Sequence, residues 1–287
     1  MTKRNRAAAG ASAVRAESAL VGAVAALTDM GQTRKNNEDN LVIYDFLKKS
    51  AVTPGGEARF PTAPPGVLLA VADGMGGHSS GQVASQLCVD NLPRAVEQLI
   101  SEGETSAEKM SAALRRAVEV TNEAIFQAAK KSQEFEGMGT TLTAVWLAGG
   151  QALIAQVGDS RAYLWHEGKL TQLTRDQTVL NSVSEAEREA LAHTPFENML
   201  LQAVGAMTQL DVVVSSHELA PDDLLLLCSD GLYKVLTNPQ LSEILSRPDS
   251  LESKAQTLIT ETNAGGGPDN VTVILCRIQK GGNEQAE

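Results

Sequence analysis

Two kinds of hydrophobic periodicity alternate along the chain. Short runs rich in Val, Leu and Ile that end at turn residues predict buried strands, whereas apolar residues three and four positions apart predict amphipathic helices. Strands are predicted at 21–28, 41–44, 67–71, 137–147, 152–157, 162–165, 170–174, 223–228 and 271–276. Helices are predicted at 84–100, 110–128, 184–189, 239–245 and 251–260, with the first two forming a hairpin over one face of a sheet.

Two longer connections interrupt this pattern. Residues 47–65 are rich in Pro, Gly, Ala and charge, which predicts an exposed excursion between strands. Residues 181–198 hold a short capped helix followed by Pro195, and we interpret them as a mobile flap. His193 lies in this flap, where a lone histidine is more typical of exposed surface than of catalysis.

Length and composition limit the organisation of the chain. With 287 residues, 43% of them hydrophobic, we expect one domain at 19–279 between flexible tails at 1–18 and 280–287. The basic, Ala-rich start does not form a good signal peptide because Arg15 and Glu17 interrupt it, and no run reaches the ~18 apolar residues of a membrane span. Three cysteines without Cys-x-x-Cys spacing argue against zinc or disulfides and fit a cytoplasmic location.

The first candidate site is an aspartate at a strand end. Asp73 follows the apolar run 67–71 and begins a glycine-rich turn at 74–77. A carboxylate there can reach a cation, and Gly74, which has no Cβ, lets its own carbonyl oxygen approach the same ion. Mg²⁺ and Mn²⁺ favour such oxygen ligands. The alternative is a turn in which Asp-Gly serves conformation alone, and the motif by itself supports both readings equally.

A second candidate segment combines an arginine with two acids. Arg34 precedes Glu38 and Asp39 by four and five residues, so anion-binding and cation-binding groups share one short connection. This pairing suits a phosphate held beside metals, because the arginine fork is well shaped for phosphate oxygens. In the alternative, Arg34 only pairs with Glu38 on a solvated turn.

Three more aspartates lie at predicted strand boundaries close to glycine. Asp159 and Asp230 are adjacent to a glycine, and Asp269 is two residues from one. One such residue means little, but together with Asp73 and the 38–39 pair they place six carboxylates at the ends of strands. Clustering of these acids near shared metal ions is the economical explanation. The net charge of -11 agrees with it and indicates no nucleic-acid-binding surface.

Six motifs that contain these residues follow one another in a distinctive order. They are Arg34-x-x-Asn37-Glu38-Asp39, Asp73-Gly74-x-Gly76-Gly77-His78, Gly139-Thr140-Thr141, Gly158-Asp159-Ser160-Arg161, Ser229-Asp230-Gly231-Leu232 and Asp269-Asn270-x-Thr272. In this order they resemble the metal-dependent protein phosphatases of type 2C, the PPM family, over about 23–278. The resemblance implies an α+β fold, a four-layer α-β-β-α sandwich with two face-to-face antiparallel sheets flanked by helix pairs.

The same resemblance implies a metal-ligand set. Asp73 resembles the aspartate that bridges two Mn²⁺ or Mg²⁺ ions, and Gly74 resembles the backbone carbonyl ligand. Asp230 and Asp269 resemble the remaining direct carboxylate ligands. Asp159 resembles the residue that, with Asp230, holds a third and weaker metal ion in bacterial members.

Further roles follow for the neighbouring residues. Arg34 resembles the phosphate-binding arginine, and Glu38 and Asp39 resemble acids that act at the metals or through metal-bound water. Some members carry a histidine as general acid where this chain has Met75, which cannot donate a proton. His78 resembles the family's other histidine and is not assigned that role.

The implied activity is hydrolysis of phosphoserine or phosphothreonine esters without a covalent intermediate. Two cations about 3.5–4 Å apart lower the pKa of a bridging water, and the resulting hydroxide attacks phosphorus in line. Arg34 and the metals neutralise the nonbridging oxygens, and flap residues 184–198 contact the substrate. The implied partners are phosphorylated proteins, among them serine/threonine kinases and their substrates, for a monomer that binds neither membrane nor nucleic acid.

Two alternatives from other classes remain. A pseudophosphatase that only binds phosphoproteins is expected to lack some of the metal acids, all of which are present here. A different two-metal hydrolase, such as a nuclease, is disfavoured by the negative net charge and the absence of basic stretches.

Overall fold

The computed structural model describes residues 20–52, 57–76, 80–100, 106–191, 194, 196 and 199–281. The N-terminal tail predicted at 1–18, His78, His193 and most of the C-terminal tail lie outside these residues. The last strand continues to Lys280, one residue beyond the predicted end of the domain.

The described strands form two antiparallel sheets. The strands are β1 (Leu20–Asp29), β2 (Asp39–Asp45), β3 (Ser50–Ala51), β4 (Ala58–Pro61), β5 (Val67–Met75), β6 (Gly139–Thr140), β7 (Leu142–Ala148), β8 (Gln151–Val157), β9 (Arg161–His166), β10 (Lys169–Gln172), β11 (Val213–Glu218), β12 (Leu224–Cys228) and β13 (Val271–Lys280). One sheet has the order β10-β9-β12-β13-β1-β4, and the other has the order β11-β8-β7-β5-β2-β3, with β6 paired to the end of β5.

Helices cover the outer face of each sheet. The described helices are α1 (Ser80–Leu99), α2 (Ala107–Ala129), α3 (Val179–Ser182), α4 (Glu185–Leu191), α5 (Asp230–Tyr233), α6 (Asn238–Ser246) and α7 (Leu251–Ala264), with a 3₁₀ helix at Gln133–Phe135. The pair α1 and α2 covers one sheet, and the pair α6 and α7 covers the other. Serine side chains begin two of the long helices: Ser106 accepts from the backbone N–H of Lys109 before α2, and Ser250 accepts from that of Ser253 before α7. Among the described residues no helix is long and apolar enough to cross a membrane.

Three apolar clusters fill the spaces between these layers. The middle cluster joins the sheets, with Val24 and Ile274 from one and Leu69 from the other. The first outer cluster packs α1 and α2, through residues such as Leu92, onto the β5–β7–β8 sheet. The second packs α6 and α7, through residues such as Leu258, onto the β12–β13–β1 sheet. This α-β-β-α sandwich confirms the predicted fold class.

Two strands at sheet edges depart from the sequence prediction. The prediction of an exposed excursion at 47–65 is wrong for β4, because this strand pairs with β1 and its Phe60 is buried between the sheets. Strand β11 pairs with β8 but was not predicted. Its apolar positions are interrupted by Ser and His, and half of Val213 is exposed, as is usual at an edge that has solvent beside it.

Candidate active site

Antiparallel strand pairing brings the predicted acids to one edge of the sandwich. Asp39 at the start of β2 lies opposite Asp73 near the end of β5. Asp159 follows β8, Asp230 begins α5 directly after β12, and Asp269 precedes β13. Because neighbouring strands run in opposite directions, the end of one strand meets the start of the next at the same edge. A cleft of about 480 Å³ opens there, lined by Arg34, Glu38, Asp73, Gly74, Met75, Gly76, Thr141, Asp159, Met199, Leu200, Asp230, Lys234, Asp269 and Asn270.

Asp39 lies beneath the cleft and is only 4% exposed. Its Oδ2 atom accepts hydrogen bonds from the hydroxyls of Ser229 at 2.6 Å and Thr272 at 2.8 Å, whereas its Oδ1 atom is buried without a hydrogen-bond partner among the described residues. Burial raises the pKa of Asp39 to about 7, and the neighbouring charges of Asp230 and Asp269 act in the same direction against the two hydroxyl hydrogen bonds.

Two other aspartates of the site also have raised pKa values. Burial, followed by the charges of Asp39, Asp230, Asp159 and Asp269, raises the pKa of Asp73 well above its ordinary value. Burial and Asp230 raise the pKa of Asp159 to about 6. The acids therefore repel one another in a poorly solvated space, which is the electrostatic condition that favours bound cations.

The backbone around Gly74 is closely packed. Its N–H donates to the carbonyl oxygen of Glu38 at 3.1 Å, and a Cβ at this position would lie 2.1 Å from the carbonyl oxygen of Gly81. Only glycine fits without displacing the start of α1. The glycine thus holds the Asp73 turn against the segment that carries Glu38, whose own pKa is raised by burial.

Arg34 forms an ion pair with Asp269 rather than with Glu38. Its Nη2 atom donates to Asp269 Oδ2 at 2.7 Å, and about half of the arginine side chain is exposed. This hydrogen bond raises the pKa of Arg34, to which Glu38 and Asp73 also contribute by charge. The alternative pairing of Arg34 with Glu38 on a solvated turn is therefore not the arrangement observed.

Several residues of the site were not assigned roles from the sequence. Lys234 donates to Asp230 Oδ2, and the hydroxyl of Tyr233 donates towards Asp159, 3.0 Å from its carbonyl oxygen and 3.3 Å from its Oδ2 atom. The Asn270 side chain accepts from the Glu38 N–H at 2.8 Å and fixes the segment before β2. The spacing of Asp230 and Lys234, four residues apart on a helical turn, was the available signal for their contact.

Four aspartates and Glu38 line one cleft, but some of their oxygens have protein partners. In the described part of the chain, no three Asp, Glu, His or Cys side chains are grouped so that they could hold one metal ion. Asp269 is paired with Arg34, and Asp230 with Lys234. The chemistry of the donor set nevertheless fits divalent cations. Asp39 and Asp230 each keep a buried carboxylate oxygen without a hydrogen-bond partner, and all the ligands available are hard oxygens.

Part of the rim of the cleft is apolar. Met75, Met199 and Leu200 line it, and Met75 and Met199 are 39% and 54% exposed. Of the described residues, no histidine lines the cleft. The predicted flap contains α4, and the residues directly after its predicted end, Met199 and Leu200, reach the site.

Comparisons with known proteins identify the family. The family model described as "Protein phosphatase 2C" matches residues 59–262. The serine/threonine phosphatase stp of Listeria welshimeri is 36% identical over 260 residues, which cover 88% of this chain and 96% of that protein. The solved serine/threonine phosphatase of S. agalactiae has a TM-score of 0.76 and 30% identity, covering 89% of this chain and 99% of that one. The catalytic domain of the phosphatase PstP, solved with 2 manganese ions, has a TM-score of 0.70 and 34% identity, covering 91% of this chain and 99% of that one.

Proposed function

This chain belongs to the protein phosphatase 2C family of metal-dependent serine/threonine phosphatases, and we propose that it hydrolyses phosphoserine and phosphothreonine esters of proteins at a binuclear Mn²⁺ or Mg²⁺ centre. The predicted family and enzyme class are thereby confirmed. The observation that carries the mechanistic proposal is the convergence of five aspartates at one edge of the sandwich, two of them with buried, unpartnered carboxylate oxygens.

In this proposal Asp73, the Gly74 carbonyl, Asp230 and Asp269 would hold the two ions, and Asp39 and Glu38 would act directly or through bound water. When bound, two such ions supply an activated water for attack on phosphorus and neutralise developing negative charge. The chain prepares the site by burying Asp39 and Asp73 together, so that cations relieve their mutual repulsion. The two manganese ions in the PstP structure support a binuclear centre by analogy.

Arg34 is the proposed phosphate ligand. Its guanidinium stands at the mouth of the cleft beside Asp269 and is half exposed, so it can turn from this carboxylate to an incoming phosphate. Phosphate oxygens match the planar guanidinium fork, and the contact is charge-assisted. Moving away from Asp269 would also free that carboxylate for a cation, which couples substrate binding to the metal site.

No covalent enzyme intermediate is needed in this scheme. The bond between phosphorus and the serine or threonine oxygen breaks as a bond from water oxygen forms, and a proton passes to the leaving alkoxide. Met75 lines the cleft, and its thioether has no ionisable proton to donate. We therefore infer that the leaving-group proton comes from water rather than from a side chain at this position.

The proposed substrates are phosphorylated proteins, including serine/threonine kinases and the proteins they modify. The flap at 181–198 and the adjoining Met199 and Leu200 would contact the polypeptide around the phosphorylated residue. We further propose that the chain acts as a monomer in the cytoplasm. The free, buried state of Cys88, Cys228 and Cys276 is compatible with a reducing compartment.

The test is a Mn²⁺-dependent assay with p-nitrophenyl phosphate and a phosphothreonine peptide. We expect turnover that EDTA abolishes and Mn²⁺ restores, with no cleavage of single-stranded or double-stranded DNA in parallel. Asp73→Asn should abolish turnover, whereas Asp211→Asn, an exposed aspartate that does not line the cleft, should retain it. Phosphopeptide binding without turnover would instead support a pseudophosphatase, and cleavage of DNA would support a nuclease.

A further inference from the structure

The helical turn α5 carries a lysine that points at a metal-site aspartate. Lys234 follows Asp230 by four residues, and its Nζ atom contacts Asp230 Oδ2. The lysine side chain is 36% exposed and the aspartate side chain 12%, so this ion pair lies in the wall of the cleft rather than on the outer surface. The backbone N–H of Lys234 donates to the Asp230 carbonyl at 3.0 Å, which fixes the turn that aligns the two side chains.

The two oxygens of Asp230 have different surroundings. Oδ2 is occupied by Lys234, whereas Oδ1 is buried without a hydrogen-bond partner. A carboxylate can serve a metal pair through one oxygen and an additional cation through the other. Here Oδ1 is free for the metal pair, and a protein ammonium already occupies the position at Oδ2.

The other aspartate of this region is also engaged. The Tyr233 hydroxyl lies 3.3 Å from Asp159 Oδ2, and the Arg161 guanidinium stacks 3.4 Å from the centre of the Tyr233 ring. Lys234 lowers the pKa of Asp159, against the larger opposite effects of burial and Asp230. The positive charge of Lys234 therefore already balances part of the negative charge around Asp159.

We propose that the Lys234 ammonium takes the place of a third divalent cation between Asp159 and Asp230, so that this chain binds two metal ions and excludes a third. The proposal rests on the binuclear centre proposed above. It replaces the possible third metal that the sequence resemblance implies for Asp159.

The physical reason is charge balance in a confined space. A divalent ion shared by Asp159 and Asp230 would sit at the carboxylate that the Lys234 ammonium already contacts, and like charges at such short range repel strongly in a partly desolvated site. The ion would also have to break the contact between Lys234 and Asp230. Lys234 thus acts as a positioning residue, because it holds Oδ2 of Asp230 and leaves Oδ1 as the oxygen that would bind the metal pair.

The test counts Mn²⁺ ions by isothermal titration calorimetry and by metal analysis after removal of free metal on a desalting column. The proteins are the wild type, Lys234→Gln, Lys234→Arg, Asp159→Asn and the double variant Lys234→Gln/Asp159→Asn. Lys234 lies at the end of a short turn and is partly exposed, and circular dichroism with thermal unfolding verifies that each variant is folded.

We expect two ions per chain in the wild type and in Lys234→Arg, which keeps the positive charge. Lys234→Gln should bind a third ion with an affinity at least about tenfold above any residual third binding in the wild type. The double variant should return to two ions, because Asp159 no longer supplies a carboxylate.

Two results would overturn the inference. One is a third ion in the wild type that is lost in Asp159→Asn, and the other is a folded Lys234→Gln protein that still binds only two ions at millimolar Mn²⁺. Failure of the proposed function has a different signature, since a wild type that binds no Mn²⁺ and lacks phosphatase activity would remove the binuclear centre itself.

Discussion

Replacing Asp39 by asparagine should stabilise the protein in the absence of divalent cations. Asp39 is 4% exposed, and one of its carboxylate oxygens has no hydrogen-bond partner among the described residues. Its pKa is raised from 3.8 to about 7, mainly by burial. Ionised Asp39 therefore opposes folding, and an uncharged amide of the same shape should relieve the penalty while still accepting from Ser229 and Thr272.

The magnitude follows from this pKa. The difference between 3.8 and about 7 corresponds to about 4 kcal/mol of folding free energy once the pH exceeds the pKa of the folded state. Between the two pKa values the folded protein binds more protons than the unfolded chain, so the stability of the metal-free wild type falls as the pH rises from about 4 to about 7. Asp39→Asn should recover about 4 kcal/mol at pH 8 and almost nothing at pH 4.

Urea unfolding in EDTA, followed by circular dichroism at pH 4, 6 and 8, measures this difference. Glu136→Gln is the matched control, since it removes one acidic charge from an exposed position. Other groups, such as His166 beside Asp223, also make the protein less stable as the pH rises. They are present in the wild type, Asp39→Asn and Glu136→Gln alike, so their effects cancel in the comparison. A gain equal to that of the control at pH 8, or equal gains at pH 4 and pH 8, would refute the argument. Saturating Mn²⁺ should reverse the order at pH 8, because the wild type then gains a ligand contact that asparagine weakens.

Three further outcomes follow from the site. Gly74→Ala should lower the free energy of unfolding in urea by about 3 kcal/mol, because its Cβ would lie 2.1 Å from a backbone oxygen. Gly137→Ala, whose Cβ would have nothing within 4 Å but whose φ is +72°, should lower it by about 1 kcal/mol. Equal losses would contradict the steric argument. Arg34→Ala should raise KM for phosphoesters by about tenfold or more without weakening Mn²⁺ binding, and Arg34→Lys should recover only part; weaker Mn²⁺ binding in calorimetry would make Arg34 structural. With Met75 at the cleft, kcat should be lower for a phosphothreonine peptide than for p-nitrophenyl phosphate, whose leaving group is better; equal values with chemistry rate-limiting would reveal an unrecognised proton donor.

Regular periodicity made most of the fold predictable. Buried strands such as β5 and β12 are continuous apolar runs, and α1 and α2 repeat apolar residues at helical spacing because one face of each packs on a sheet. Edge strands gave weaker signals. In β4 only Phe60 is buried, and partly buried and exposed positions alternate irregularly in β11. Pairing with β1 and β8, rather than their own composition, therefore decides the conformation of these two strands.

The acids of the site were predictable because each stands at the boundary of a strongly predicted strand. Their partners were not. Arg34 pairs with Asp269, 235 residues away in the chain, and Asp39 accepts from Ser229 and Thr272 after comparable separations. Such contacts depend on strand order, which a local pattern does not contain. Lys234 could have been paired with Asp230 from helical spacing, but only if the short turn α5 had been predicted.

The central claim is that the aspartate cleft is a binuclear metal centre organised by Asp73. Calorimetric titration of Mn²⁺ into the metal-stripped wild type and Asp73→Asn tests it most directly. Asp73 lies opposite Asp39 and is surrounded by the other acids, so its loss should disrupt both ions together. We predict two ions per chain in the wild type and loss of both tight sites in a folded Asp73→Asn protein. Two tight Mn²⁺ sites that survive in Asp73→Asn would contradict the account.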